Sequence, residues 1–299
     1  MKRILFVIGL LLLAGLVWYL FVKKADYIYT FKEKTNAGSI LYSISNWHNT
    51  NDAIATKTID STLYTSLTQQ LSYKGKNYVL YWDINSVNDS VTEVNVGIKQ
   101  PGKSISNRIT APFFKTDFTA TTKDLLINFK KTLDLNISTF KVQIEGTATV
   151  PNKQCVCVNA KTTPEGKAGQ MMRNYNYLSN YIIENNIQPD GNPMVVINEY
   201  NKLTDSIDMD FCFPVKGIEK LPVPSEAIFL REVNKSTALL AIFHGNYMYT
   251  QHAWFALYNY ADNHAINVSN KVIEVFNNNP NLGGDALKWK TDVYIPIED

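Results

Sequence analysis

The chain has 299 residues, 45% of them hydrophobic and 19% charged, which excludes a disordered polymer and is enough for about two domains. Lys and Arg total 29 against 27 Asp and Glu, and no basic stripe is interleaved with aromatics, so direct nucleic-acid binding is excluded from the expected functions. Cys155, Cys157 and Cys212 are too few for a disulfide framework. They read as small buried side chains on strands, and a bridge from Cys212 to either of the others would require an oxidising compartment.

Ile4 to Val22 forms an uncharged run of 19 residues, and a helix of roughly that length nearly crosses the ~30 Å hydrocarbon core of a bilayer. Trp18, Tyr19 and Phe21 end the run where a signal peptide would carry a small-residue cleavage site, so residues 1–24 are expected to be an uncleaved single-pass anchor. Lys2 and Arg3 before the run balance Lys23 and Lys24 after it, and charge leaves orientation open. The arrangement adopted is that of bacterial signal-anchors, with the N-terminus inside and an extracytoplasmic body.

Residues 25–137 read as a small α+β domain. A strand over Tyr27 to Lys32 and a short helix over Ser39 to Trp47 precede alternating strands at Leu67 to Tyr73, Tyr78 to Ile84 and Thr92 to Ile98. A closing helix is expected from an N-cap at Thr121 or Thr122, with Leu125, Leu126, Phe129 and Leu133 on one face. This order, with Gly38-Ser39-Ile40 leading into Asn46-Trp47, resembles the START-like, polyketide-cyclase-like helix-grip domains.

Residues 138–299 carry an internal repeat, with copies at about 150–215 and 236–297. Gly166, Leu178, Tyr181 and Ile187 recur as Gly245, Leu257, Tyr260 and Ile266 at a constant offset of 79, and Asp210, Pro214 and Val215 meet Asp292, Pro296 and Ile297 at 82. Each copy reads strand, glycine turn, helix and two strands ending in a proline. The first helix presents Met171, Tyr175, Leu178 and Ile182 on one stripe, the second Trp254, Leu257, Tyr258 and Ala261. Neither copy can bury its sheet face alone, so the fold expected is α+β, with the two copies paired about a pseudo-twofold axis and a ligand cleft at their seam.

The stretch from about Ser138 to Ile297 resembles the gyrase-inhibitor-like effector-binding domains found at the ends of multidrug-responsive transcription activators. The match is densest over residues 239–247, at Trp254, Leu257, Tyr260 and Glu274, and over residues 291–297. The resemblance implies a cleft between the repeats for amphipathic or cationic organic molecules, with aromatic walls and one glutamate on a strand of the second repeat, the position of Glu274. Asn246 stands where the family often has proline, and Phe276 where a tyrosine commonly follows the glutamate. No helix-turn-helix precedes the stretch, so the chain resembles the membrane-attached members better than the regulators.

Glu274 also has an argument of its own, because its repeat-mate is Val195. A carboxylate facing a cleft is costly unless paired or met by a cationic ligand; in the opposite strand register it simply faces water. Trp254, Tyr258, Tyr247, Phe211, Phe213 and Tyr294 are the candidates to wall the cleft, the alternative for each being plain core. His244 and His252 lack metal-ligand spacing, and no nucleophile elbow, P-loop or dinucleotide fingerprint occurs, so no metal, cofactor or catalytic residue is assigned. The function expected is membrane-tethered binding or sensing of a small organic ligand. The alternatives are a hydrolase of electrophilic ligands using Glu274, or a protein-interaction module with a filled cleft.

Overall fold

The computed structural model describes residues 2–50, 53–62, 64–201 and 204–298. The chain is a mixed α+β protein with an apolar N-terminal helix and two antiparallel sheets, and it divides into units Met1–Asn136 and Ile137–Asp299. Helix α1 (Lys2–Val17) continues as a wider π-helical turn over Trp18–Val22. The stretch Arg3–Val22 is long and apolar enough to cross a membrane, and none of its residues is fully buried in the protein.

In the first unit β1 (Tyr27–Glu33) and α2 (Ala37–Ser45) are followed by β2 (Ile54–Thr62), β3 (Ser66–Tyr73), β4 (Lys76–Asn88) and β5 (Val91–Lys99), then α3 (Ser104–Thr110) and α4 (Asp117–Ser138). The sheet order is β1-β5-β4-β3-β2. Helix α2 starts two residues before its expected position because Asn36 caps it, accepting from the Ser39 amide at 2.9 Å. Helix α4 starts at Asp117 rather than at Thr121 or Thr122. Thr116 and Thr119 exchange side-chain and backbone hydrogen bonds (2.9 and 3.2 Å), a reciprocal cap that places the first turn earlier. The predicted face is correct: Leu125, Leu126, Phe129 and Leu133 are all buried. Phe129 meets Trp47 at 4.9 Å and Trp82 at 5.0 Å, an aromatic core between helix and sheet. Strand β2 and helix α3 have no counterpart in the sequence reading; β2 is exposed along most of its length, so no apolar alternation marks it.

The second unit runs β6 (Phe140–Thr149), β7 (Lys153–Thr162), α5 (Lys167–Glu184), β8 (Gln188–Pro189), β9 (Met194–Asn201), β10 (Ser206–Lys216), β11 (Ile228–Val233), β12 (Thr237–Gly245), α6 (Gln251–Asn263), β13 (Val272–Phe276) and β14 (Lys290–Pro296). Its sheet order, β11-β7-β10-β9-β13-β14-β12-β6, is a palindrome of the repeat, with β7, β9 and β10 mirrored by β12, β13 and β14. The pseudo-twofold axis passes between β9 and β13, where Glu274 pairs directly with its own mate Val195, while Ile273 pairs with Val196 and Val275 with Met194.

Each repeat also lends its leading strand to the other: β6 pairs with β12, and β11 with β7. Links of three residues join β6 to β7 and β11 to β12, a reach of ~14 Å, although six strand spacings of about 4.8 Å would separate the joined strands in a flat sheet. The sheet must therefore curl until its ends meet, and the Val150 amide donates to Ser236 O at 2.9 Å where the two links cross. Inside the curl lies a core of Val150, Cys155, Met194, Val196, Val233 and Ile273 with Tyr294 against it. Gly245 ends β12 at φ +155, and a Cβ there would stand 2.9 Å from Phe140 Cβ, so only glycine fits.

All three cysteines are buried on strands, as expected, and of the two bridges left open for Cys212 the one formed is to Cys157, which faces it across β7 and β10. Cys155 remains a buried thiol, its pKa pushed up to about 12 by burial.

Candidate functional site

On the helix side of the sheet, at the pseudo-twofold axis, sits a dry polar cluster. The Glu274 carboxylate is fully buried and accepts from Lys167 Nζ through both oxygens at 2.5 Å. Trp254 Nε1 donates to Oε1 at 2.7 Å. The ammonium also donates to Thr250 Oγ1 and lies 4.6 Å from the centre of the Trp254 ring. Glu274 thus neither faces water nor lies open to a ligand, because the chain supplies the counter-cation itself. Burial draws the Lys167 pKa below the usual lysine range, and the Glu274 charge opposes that shift.

Lys167 was missed in the sequence, although the repeat marks it. It opens α5 with no side-chain cap, a place where the helix dipole disfavours a cation. Its mate is the neutral Asn246, just as the mate of Glu274 is Val195.

Beside this cluster lies a cavity of about 730 Å³ under the first half of α5. Its apolar wall includes Met171, Tyr175, Phe211, Tyr247, Phe276 and Trp289. Asn192, Asn246, Asn277 and Asn278 supply amides, and Glu165 and Arg173 are the charged lining residues among those described. The stripe predicted on α5 therefore divides. Leu178 and Ile182 are buried in the core, whereas Met171 and Tyr175 face the cavity.

The two repeats differ here through one substitution of shape. Trp254 on α6 reaches the axis, but its mate Tyr175 packs against Phe213 (centroids 5.3 Å) and leaves space under α5. Tyr247 is held between Phe276 (4.7 Å) and Trp289 (5.7 Å), its hydroxyl donating to Asn278 O at 2.9 Å, and burial pushes its pKa to about 12. Burial also raises the pKa of Glu165, reinforced by the Asp205 charge.

Of the sequence candidates, Phe211 and Tyr247 line the cavity, and Phe213 stands one ring further out, 5.5 Å from Phe211. Glu274 and Trp254 form the buried cluster. Tyr258 is buried on α6, its hydroxyl donating to Ser269 O at 3.4 Å. Tyr294 packs in the curl core on the other sheet face, since its neighbour on β13 is Ile273 rather than Glu274. The residues that line the cavity without having been singled out fall into two groups, one around the start of α5 (Glu165, Ala168, Gly169, Met172 and Arg173) and one in loops, such as Asn192, Asn277 and Asn278, where no periodicity exists to read. Among the described residues, no group of three or more His, Cys, Asp or Glu is placed to hold a metal ion.

No protein-family model matches the chain, and no curated protein does. Among solved structures, the chain is similar to the C-terminal domain of EcmrR at 15% identity and a TM-score of 0.43, over 54% of this chain and 98% of that one. It is similar to SAV2435 bound to tetraphenylphosphonium at 10% and 0.37, over 53% and 93%. A hydrolase encoded by lin2189 from Listeria innocua gives 12% and 0.37, over 53% and 92%. At this depth of likeness no activity is transferred, and the START-like reading of residues 25–137 gains no support.

Proposed function

We propose that the second unit is a non-catalytic binding or sensing module for a small amphipathic organic molecule, tethered to a membrane by the N-terminal helix. The observation that carries this reading is the cavity under α5, whose volume of about 730 Å³ lies within the ~300–1,000 Å³ usual for small-molecule sites. Its apolar wall with a few amides suits a ligand with an aromatic or aliphatic body and a hydrogen-bonding end. The cationic ligand implied by the family resemblance loses its counter-charge here, because Lys167 already neutralises Glu274. A hydrolytic role for Glu274 is disfavoured for the same reason and because the carboxylate does not line the cavity. The Cys157–Cys212 bridge supports a body in an oxidising compartment, outside the cytoplasm.

Gly169 provides the test. It lines the cavity, and a Cβ built on it meets nothing within 4 Å, so a larger side chain grows into the void without disturbing the core. Calorimetric titration of 2-naphthol and of a naphthylammonium into the chain lacking residues 1–24 should show the neutral probe binding better. In Gly169→Leu the neutral probe should lose at least about tenfold in affinity, or ~1.4 kcal/mol, with no loss of thermal stability. Equal affinity in the two proteins would move the site elsewhere.

A further inference from the structure

The first unit carries an apolar surface that the binding role does not use. Helix α3 buries Asn107 and Arg108 on one side and exposes Ile105 and Ile109, four residues apart, on the other. The following turn, closed by bonds from the Phe113 and Phe114 amides to Thr110 O (3.1 and 2.9 Å), exposes both phenylalanines, Phe113 to 78% and Phe114 to 67%. Four large apolar side chains in ten residues, flanked by exposed Lys103 and Lys115, make a contiguous ledge with a basic rim.

What covers this ledge is indicated by where it is attached. Arg108, itself buried, donates to Leu20 O at 2.7 Å and to Asp26 Oδ1 at 3.1 Å, and Tyr19 Oη donates back to Arg108 O at 3.0 Å. Helix α3 is thus fastened to the last turn of the apolar N-terminal helix, where Trp18 and Phe21 are exposed at the level of an interfacial aromatic belt. The Asp26–Arg108 ion pair is dry and fixes α3 against the end of that helix rather than leaving it on a free linker. An apolar face with basic flanks, held at the depth of the aromatic belt, has the composition of an interfacial membrane element.

We infer that α3 and the Phe113-Phe114 turn form a second membrane contact, bedded in the headgroup and upper acyl region of the same bilayer the N-terminal helix crosses, which holds the first unit against the membrane surface. The inference rests on the membrane-spanning reading of residues 3–22, and the two fail separately. The full chain is reconstituted in phosphatidylcholine–phosphatidylglycerol vesicles with a single nitroxide at Phe113→Cys, Leu12→Cys or Ile59→Cys. Labelling is selective because Cys155 is buried and the other two cysteines are bridged. All three substituted residues are exposed, so none should disturb the fold.

The expected result is that the ratio of oxygen to nickel-chelate collision rates at position 113 is several-fold above that at position 59 and below that at position 12. A ratio at 113 equal to that at 59, with 12 reporting lipid, overturns the second contact while leaving the anchor. Water-like ratios at both 12 and 113 overturn the anchor and the ledge together.

Discussion

Replacing Glu274 by Gln tests whether the charge pair at the axis is as dry as its geometry implies. The substitution keeps the shape and the Oε1 acceptor shared by Trp254 Nε1 and Lys167 Nζ, but leaves the Lys167 ammonium fully buried without a counter-charge, against neutral acceptors and an aromatic face. Breaking a buried pair on one side costs about 3–5 kcal/mol, and for a body of this size each kcal/mol lowers the Tm by about 2–4 °C. The single variant should therefore unfold on the order of 10 °C below the parent. Lys167→Met should do the same by stranding the carboxylate, and the double variant should recover most of the loss, because both desolvation penalties vanish together.

The pH dependence has a definite sign. In Glu274→Gln no opposing charge offsets the burial that already draws the Lys167 pKa down. The native state then holds this proton less tightly than the unfolded chain does, so unfolding takes up proton and stability rises with pH until the unfolded lysine itself titrates near 10.4. The deficit should thus shrink between pH 7 and pH 10. Urea denaturation of the three variants, followed by tryptophan emission in the chain lacking residues 1–24, measures both effects. A Glu274→Gln protein as stable as the parent, with a difference that does not change with pH, would show that water reaches the pair and would refute the reasoning.

Gly169→Ala should raise stability by up to about 1 kcal/mol in the same denaturation assay, since the glycine is helical and its Cβ direction is open. Denatured under non-reducing conditions, the protein should react with one equivalent of thiol reagent through Cys155, and with three after reduction; loss of the Cys157–Cys212 bridge, which spans 55 residues, should cost about 4 kcal/mol on the loop-entropy estimate. Buried His252, stacked on Phe140 at 4.2 Å, has its pKa lowered to about 3 by burial. Its contribution is complete above pH 6.5 and falls by up to ~1.4 kcal/mol per pH unit towards pH 3, as the unfolded chain takes a proton the native state refuses. Acid titration of stability should therefore be flatter in His252→Asn than in the parent.

The sequence displayed the repeat because a duplicated unit must keep its turn glycines and its helix stripe in step, and Gly166 and Gly245 do so. It displayed the α4 face because Leu125, Leu126, Phe129 and Leu133 follow a helical period. The α4 cap was misplaced because two threonine pairs compete, and only hydrogen bonding distinguishes Thr116 from Thr121 or Thr122. Strand β2 escaped because an exposed edge strand has no buried face to generate alternation. Within the site, Phe211 and Tyr247 were legible as aromatics flanking the seam. Asn277 and Asn278 were not, since loop residues acquire their roles from the elements they connect. The partner of Glu274 was the largest omission: offset arithmetic that compares apolar with charged positions finds Glu274 against Val195, but Lys167 emerges only when both charge asymmetries are sought together.

That pairing also shows what a duplicated chain can do that two identical chains cannot. On the axis between β9 and β13 a residue faces its own mate, with side chains about 4.5–5.5 Å apart. Two identical copies would place glutamate against glutamate there, repelling in a dry site, or valine against valine with no polar group at all. Because the repeats have diverged, Val195 stands opposite Glu274, and the charge is balanced by Lys167 from the other copy, at a position whose own mate is neutral. The same divergence gives Trp254 to one helix and the smaller Tyr175 to the other, so the axis is filled from the α6 side and open under α5. The ion pair and the cavity are thus two consequences of one asymmetry. A variant that restores symmetry, Tyr175→Trp, should therefore reduce the cavity and weaken probe binding while leaving the Lys167–Glu274 pair and its contribution to stability in place; naphthol affinity unchanged by that substitution would separate the two features and remove the argument that links them.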